Sequence, residues 1–442
     1  SRRRHEGDPG EDIRRNRGAH MRRHLSRPLT AAAFVVVFLG AAWFTGCDLS
    51  MLWSRKSHLL DIVSEMIPPE WSFAGKVLPL LWTTVQMSVT GTVLGTFFAL
   101  VLSPFGAANL GFPAVIRRIL RIVIQILRSF PALILALTAT FLFGLGTFAG
   151  TFAITLYTFA IMTKLTYEDA SAADVKAYQA LRAMGVSKYV AYIHGILPEI
   201  IPGFLTNALY LLETNVRHSS ILGYVGAGGI GLLLNEKISW LEYDKVGTIL
   251  LMLFLTVCVI EYFSRYLAAL IRKERTIKKE QARLLLLFLA ALFLICTFTL
   301  SLPDFSRTSP QTLRNMFAGF LQPDWSFFFS AEKDGLGYLL LETVCIAFIG
   351  TVIGAIVSAP LAFLNTKRFV PAPVSFLFNL VIMVIRSVPF LVYGLIFIRV
   401  SGPGAFTGVL TLAVCSIGLL TKRFTEALDA LDPRPYHALL AM

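Results

Sequence analysis

The chain has 442 residues, 55% of them hydrophobic and 15% charged, with 40 Lys+Arg against 27 Asp+Glu. Soluble domains carry about a quarter charged residues, so this balance excludes a soluble enzyme and points to a bilayer. The net charge of +13 does not argue for nucleic acid, because the basic residues gather in the N-terminal tail and between apolar blocks, as in the positive-inside pattern.

In chain order, a basic tail (residues 1–28) comes first, of which residues 1–20, ahead of Met21, read as an upstream or non-native extension. Apolar blocks follow at Leu29–Gly46, Val77–Leu102, Ile119–Phe143, Phe148–Leu165, Ile196–Leu212 and Val246–Ile271. A basic linker at 272–283 leads to four more, Leu284–Leu302, Tyr338–Leu364, Val374–Arg399 and Ala405–Leu420. Each is near the length of about 20 residues that crosses hydrocarbon, where backbone groups must be satisfied within the segment, so each predicts a helical span. Counting crossings from a cytoplasmic tail places the loops with Arg117, Arg118 and Lys164 to Lys188 inside, and the uncharged loop Gly144 to Thr147 outside. The five cysteines lie in or beside apolar blocks and read as small hydrophobes. No metal-ligand spacing or catalytic site is visible, and no cofactor is expected.

The sequence repeats itself. Pro69-Glu70-Trp71-Ser72-Phe73 returns as Pro323-Asp324-Trp325-Ser326-Phe327, and Gly91-Thr92-Val93-Leu94-Gly95 as Gly350-Thr351-Val352-Ile353-Gly354. Arg128-Ser129-Phe130-Pro131 returns as Arg386-Ser387-Val388-Pro389, and Thr163-Lys164 with Glu168 and Tyr178 as Thr421-Lys422 with Glu426 and Tyr436. Matched charges and prolines in one order indicate duplication. Six spans separate equivalent points, so both copies are expected to sit the same way up.

Arg128 and Arg386 fall inside apolar blocks, where a cation is costly and points to a cavity or a partner. A bidentate guanidinium suits an oxyanion; snorkelling, or pairing with a carboxylate or a helix C-terminus, is the alternative. Arg217 stands at helical spacing from Glu213, which fits a structural ion pair as well as a substrate contact. After the fourth span, Tyr178-Gln179-Ala180-Leu181-Arg182-Ala183-Met184-Gly185 offers small residues for close approach and a glycine turn, and Leu197-Pro198 restarts a helix.

This segment resembles the coupling loop of ABC importer permeases, with Gln179 and Leu181 replacing the Glu and second Ala of that signature. Together with Arg-Ser-x-Pro and the string from Glu213 through Asn215 and Arg217 to Gly226, Gly228, Gly229 and Gly231, it resembles the phosphonate-type permeases. That string also satisfies G-x-G-x-x-G, but a dinucleotide site needs a preceding strand, which a string between spans lacks. The resemblance implies an all-α polytopic membrane protein, a tandem parallel repeat of the type I ABC importer permease fold with about six spans plus four. The first unit would cover 29–271, with its coupling loop at 167–198, and the second 284–442. Met442 aligns with Met184, so the second copy is expected to end inside its coupling loop, and the chain to be a transport-incompetent fragment.

The resemblance further implies two ATP-binding subunits on the cytoplasmic face, since the chain has no G-x-x-x-x-G-K-[ST], and an extracytoplasmic solute-binding protein delivering a small anion such as phosphonate, phosphite or phosphate. Coupling is expected at Glu168, Tyr178, Ala180, Leu181, Gly185, Leu197 and Pro198, and at Glu426, Tyr436 and Ala438. The substrate path or gate is expected at Arg128, Ser129, Arg386, Ser387, Glu213, Asn215, Arg217 and the four glycines. A methionine-like or osmoprotectant importer is the neighbouring reading. An ion-coupled secondary transporter would need intramembrane acidic residues, and Glu213, Glu261 and Glu342 are expected near span ends.

Overall fold

The computed structural model describes residues 30–273, 278–301 and 335–432, with 311, 314–315, 318–319, 322, 324–330 and 332–333 between them. The basic tail, Pro323, Tyr436, Ala438 and Met442 lie outside the described residues. All regular elements among the described residues are helical. In chain order they are α1 (Thr30–Phe44), α2 (Leu49–Ser54), α3 (Lys56–Glu65), α4 (Ala74–Gly106), α5 (Ala114–Ser129), α6 (Ala132–Phe143), α7 (Thr147–Ala172), α8 (Lys176–Ala183) and α9 (Lys188–Gly195). There follow α10 (Leu197–Leu222), α11 (Gly231–Ser239), α12 (Tyr243–Ile271), α13 (Lys279–Phe298), α14 (Trp325–Phe329), α15 (Leu336–Asn365), α16 (Ala372–Ser387), α17 (Phe390–Ser401) and α18 (Ala405–Ala430).

Among the described residues, α4, α7, α12, α13, α15 and α18 are long and apolar enough to cross a membrane as single helices. Of the three bent pairs, α5–α6 (96°), α9–α10 (70°) and α16–α17 (87°), the first and third fall inside blocks predicted as unbroken spans, whereas Ile196–Leu212 begins after the second bend, where Leu197-Pro198 was expected to restart a helix. The physical cause in the first and third is the repeated Arg-Ser-x-Pro. Pro131 and Pro389 supply no N–H, and a residue before proline is pushed out of the helical region, as Phe130 is at φ −83°, ψ 126°. Hydropathy alone passes over such a break, because its flanks are equally apolar.

The chain divides into two compact units, one of residues 57–323 and 386–392, the other of 1–56, 324–385 and 393–442. In the larger unit, Gly91 and Gly95 on α4 lie against α7, where a Cβ at Gly95 would stand 2.6 Å from the Thr155 carbonyl and 2.8 Å from Thr158. In the smaller unit, Gly350 and Gly354 on α15 meet Leu412, Val409 and Ala413 of α18 in the same manner. The repeated glycines therefore have one job in each unit: they let two apolar helices close to backbone distance. The aromatic motif is also duplicated in detail. The Ser72 hydroxyl donates to Glu70 at 2.5 Å and the Ser326 hydroxyl to Asp324 at 2.5 Å. Asp324 additionally caps α14, and the donors around it, Ser326 first, hold its carboxyl below the usual range.

Candidate functional site

The α8–α9 hairpin is built by local chemistry. The Asp174 side chain accepts from the Lys176 amide at 3.0 Å, opening α8. Gly185 ends it at φ +85°, a conformation costly for a side chain, with the Val186 amide donating to Leu181 O at 3.2 Å. Ser187 then caps α9, and Pro198 stands in the first turn of α10. The hairpin closes because Gly195 has no side chain: a Cβ there would lie 2.8 Å from the Tyr178 amide nitrogen.

Tyr178 is the foundation of this element. Its ring is buried with Ala107, Leu110, Ala170, Ala191 and Tyr192, Leu181 and Leu197 pack against the same cluster, and its hydroxyl donates to Leu110 O at 2.6 Å. Lys188 reaches Gly111 O on the same α4–α5 loop. The opposite face of α8, with Gln179, Ala180, Ala183 and Met184, is exposed. Glu168 stands on α7 in a pair with Lys164 at 3.5 Å, and Glu426 on α18 in a pair with Arg423 at 3.1 Å.

The glycine string lies between α10 and α11. Gly226, Gly228 and Gly229 have φ of +76°, +79° and +78°, so the backbone winds in a way other residues resist. Gly226 O accepts from the Gly146 amide at 3.0 Å, and the Ile230 amide donates to Thr84 Oγ1 at 2.9 Å. Gly231 opens α11, with Gly223 backbone 3.0 Å from where its Cβ would be. This ties the string to α4 and to the loop before α7; no strand precedes it, as the sequence argued against a dinucleotide site.

Just past it, α11 and the start of α12 carry an ion cluster around the buried Lys237. Lys237 pairs with Glu236 and Glu242, each at 2.9 Å, and Lys245 with Glu242 at 2.8 Å. Hydrogen bonds from Lys245 and then Lys237 hold the Glu242 carboxyl below its usual range. A depressed carboxyl contributes stability above its unfolded pKa and loses it as pH falls through the folded one. Acid titration of the thermal midpoint is therefore expected to show a loss below the ordinary carboxylate range that Glu242→Gln lacks. Identical acid limbs would refute the pairing.

Among the buried polar groups of the larger unit, two sets join its helices. Asn215, fully buried on α10, donates to Thr92 and Thr158, each at 2.8 Å, and Ser88 and Ser219 share a 2.6 Å bond, so α10 is held to α4 and α7. The second group is ionic. Glu213 is 5% and Glu261 2% exposed, well within α10 and α12 rather than near span ends as the sequence suggested. Arg217 pairs with Glu213, as its spacing allowed, and Arg265 with Glu261. Arg386, whose residues 386–392 group with this unit, reaches Glu213 at 3.0 Å and Glu261 at 3.5 Å. It stands in the last turn of α16, beside the break, where Ser387 is buried. Arg128 occupies the equivalent last turn of α5, beside the α5–α6 break, and is exposed, and the exposed Ser129 bonds back to Ile126 O at 2.7 Å.

With that geometry in hand, comparison with known proteins is decisive. Residues 91–276, from the α4 glycines past the hairpin and the string, match the family model described as binding-protein-dependent transport system inner membrane component. The phosphate-import permease protein PhnE of Mycolicibacterium smegmatis is 25% identical over 416 residues, covering 92% of this chain and 75% of that protein. The phosphite transport system permease protein PtxC of Stutzerimonas stutzeri is 31% identical over 236 residues, covering 53% of this chain and 85% of that protein. The putative cryptic phosphonate transport system permease protein PhnE2 of Escherichia coli is 30% identical over 115 residues, covering 26% of this chain and 94% of that protein.

The chain belongs to the phosphonate-type ABC transporter permeases. It is thus a multi-pass inner-membrane permease subunit of an importer, not an enzyme, and its family works with ATPase and solute-binding partners. What the sequence missed in this permease is the company Arg386 keeps: Glu261 had been assigned no role. The available signal was three charges, Glu213, Arg217 and Glu261, inside or beside apolar blocks, each requiring a partner.

Proposed function

We propose that this permease forms the membrane path for a small phosphorus oxyanion, with ATPase subunits seated on the α8–α9 hairpin of the first copy and on the stretch beyond Glu426 in the second. The observation that carries the reading is a short helix whose inner face is anchored through Tyr178 and whose outer face, with Ala180 and Ala183, is small and open to a partner. Such an element transmits force because its foundation is fixed while its docking side is bare.

The substrate class follows from charge. Arg217 and Arg386 share one carboxylate oxygen, and an incoming oxyanion with several acceptors competes with Glu213 for those two guanidiniums. The named relatives transport phosphate and phosphite, which have that shape. The test is uptake by proteoliposomes holding the permease, its ATPase and its binding protein. Phosphate, phosphite or a phosphonate should enter only with ATP, and Gly185→Arg should lower both ATPase co-purification and uptake. Methionine uptake with phosphorus oxyanions left outside, or uptake driven by an ion gradient without ATP, would overturn the proposal.

A further inference from the structure

The α5 helix carries a second basic feature that the ion cluster does not involve. Arg117, Arg118, Arg121 and Gln125 lie on successive turns of one side and, with Tyr167 of α7, line an open surface cavity of about 420 Å³. The arginines are partly pre-ordered. Arg121 Nε donates to Gly106 O at 3.0 Å with its guanidinium 5.0 Å from the Tyr167 ring centroid, and Arg117 Nη1 donates to Ala108 O at 3.5 Å. Each of these bonds uses one of five N–H donors. Among the described residues no carboxylate pairs with Arg117, Arg118 or Arg121; the nearby Glu168 is engaged by Lys164.

The duplication shows that the fold does not need these charges. At the shift that aligns Arg128 with Arg386, the counterparts of Arg117, Arg118, Arg121 and Gln125 are Ser375, Phe376, Asn379 and Met383. The second copy builds the same bent pair without them. Three uncompensated guanidiniums around one cavity repel one another, and an anion with several acceptor oxygens relieves that repulsion.

We propose that this cavity is an oxyanion site that binds a phosphoryl group through Arg117, Arg118, Arg121 and Gln125. The site is separate from the Glu213–Arg386 cluster and does not depend on which solute is carried. Its anchors, Gly106 O and Ala108 O, belong to the stretch whose neighbours Leu110 and Gly111 hold the α8–α9 hairpin, so occupancy stiffens the seat of that hairpin.

The phosphoryl group has two possible sources, and two arms of one experiment distinguish them. The intact permease is placed in phosphatidylcholine nanodiscs and titrated with inorganic phosphate, read as a shift of its thermal midpoint. In parallel, native mass spectrometry counts phosphatidylglycerol retained from mixed-lipid nanodiscs. Arg118→Gln with Gln125→Leu, which spares both backbone-anchored arginines, should weaken whichever binding is found by about tenfold, the scale of one charge-assisted hydrogen bond. Arg423→Gln, a basic site elsewhere, should leave it unchanged. A phosphate shift lost in the double variant identifies a soluble phosphoryl ligand. Phosphatidylglycerol retention lost in that variant, without a phosphate shift, identifies a lipid headgroup. The proposal falls if the wild-type protein shows neither response, or if a monodisperse double variant keeps both.

Discussion

Glu213→Gln should be the most damaging single substitution in the protein, abolishing uptake and lowering thermal stability even though the side chain keeps its size. Glu213 accepts from both Arg217 and Arg386, and removing its charge leaves Arg386 with Glu261 at 3.5 Å as its carboxylate among the described residues. Stranding buried cations in this way costs about 3–5 kcal/mol when they are fully dry. The side chains of Arg217 and Arg386 are 17% and 11% exposed, so the lower end applies. A thermal-aggregation series on detergent-solubilised protein reads this directly. Adding Arg386→Met to Glu213→Gln should recover part of the midpoint, because a cation and the loss it suffers are removed together. An unchanged midpoint in the single variant would show that the cluster is not a buried ion network.

The second large effect should come from Gly195→Val, and it should strike coupling rather than folding. The first carbon of any side chain at 195 would stand 2.8 Å from the Tyr178 nitrogen and 2.9 Å from its Cα, against backbone that has no freedom to rotate away. Overpacking of this kind costs about 1–3 kcal/mol, and the cheapest relief is for the two short helices to part. The variant should reach the membrane in normal amounts, exchange amide hydrogens faster across residues 176–195, and lose ATP-driven uptake. Full protection of Tyr178 and normal uptake would show that hairpin closure is dispensable.

Much of the fold was legible because the bilayer imposes so few solutions. Apolar blocks at Val77–Leu102, Phe148–Leu165 and Val246–Ile271 correspond to α4, α7 and α12, and the Gly185 turn and the helix restart at Pro198 stand where their residue types demanded. The breaks were hidden for a specific reason. Arg128-Ser129-Phe130-Pro131 interrupts a run that stays apolar on both sides, and hydropathy averages across a proline without registering the missing hydrogen bond. The same averaging hid that Arg128 stands at a helix end, beside the break. Glu213 was misjudged in the opposite sense. The apolar block was closed at Leu212, yet α10 continues to Leu222, because Asn215 and Ser219 find partners across the helix interface and can be buried at little cost.

The broken pairs also bear on the lipid around the protein. α6 and α17 have 12 residues each, about 18 Å of helix, against a hydrocarbon layer of about 30 Å. A limb that short does not reach from one headgroup region to the other, so each elbow opens part-way through the slab, and the carbonyls that Pro131 and Pro389 leave without an amide donor take others: Leu127 O accepts from the Phe130 amide at 3.4 Å and Ile385 O from the Tyr393 hydroxyl at 3.0 Å.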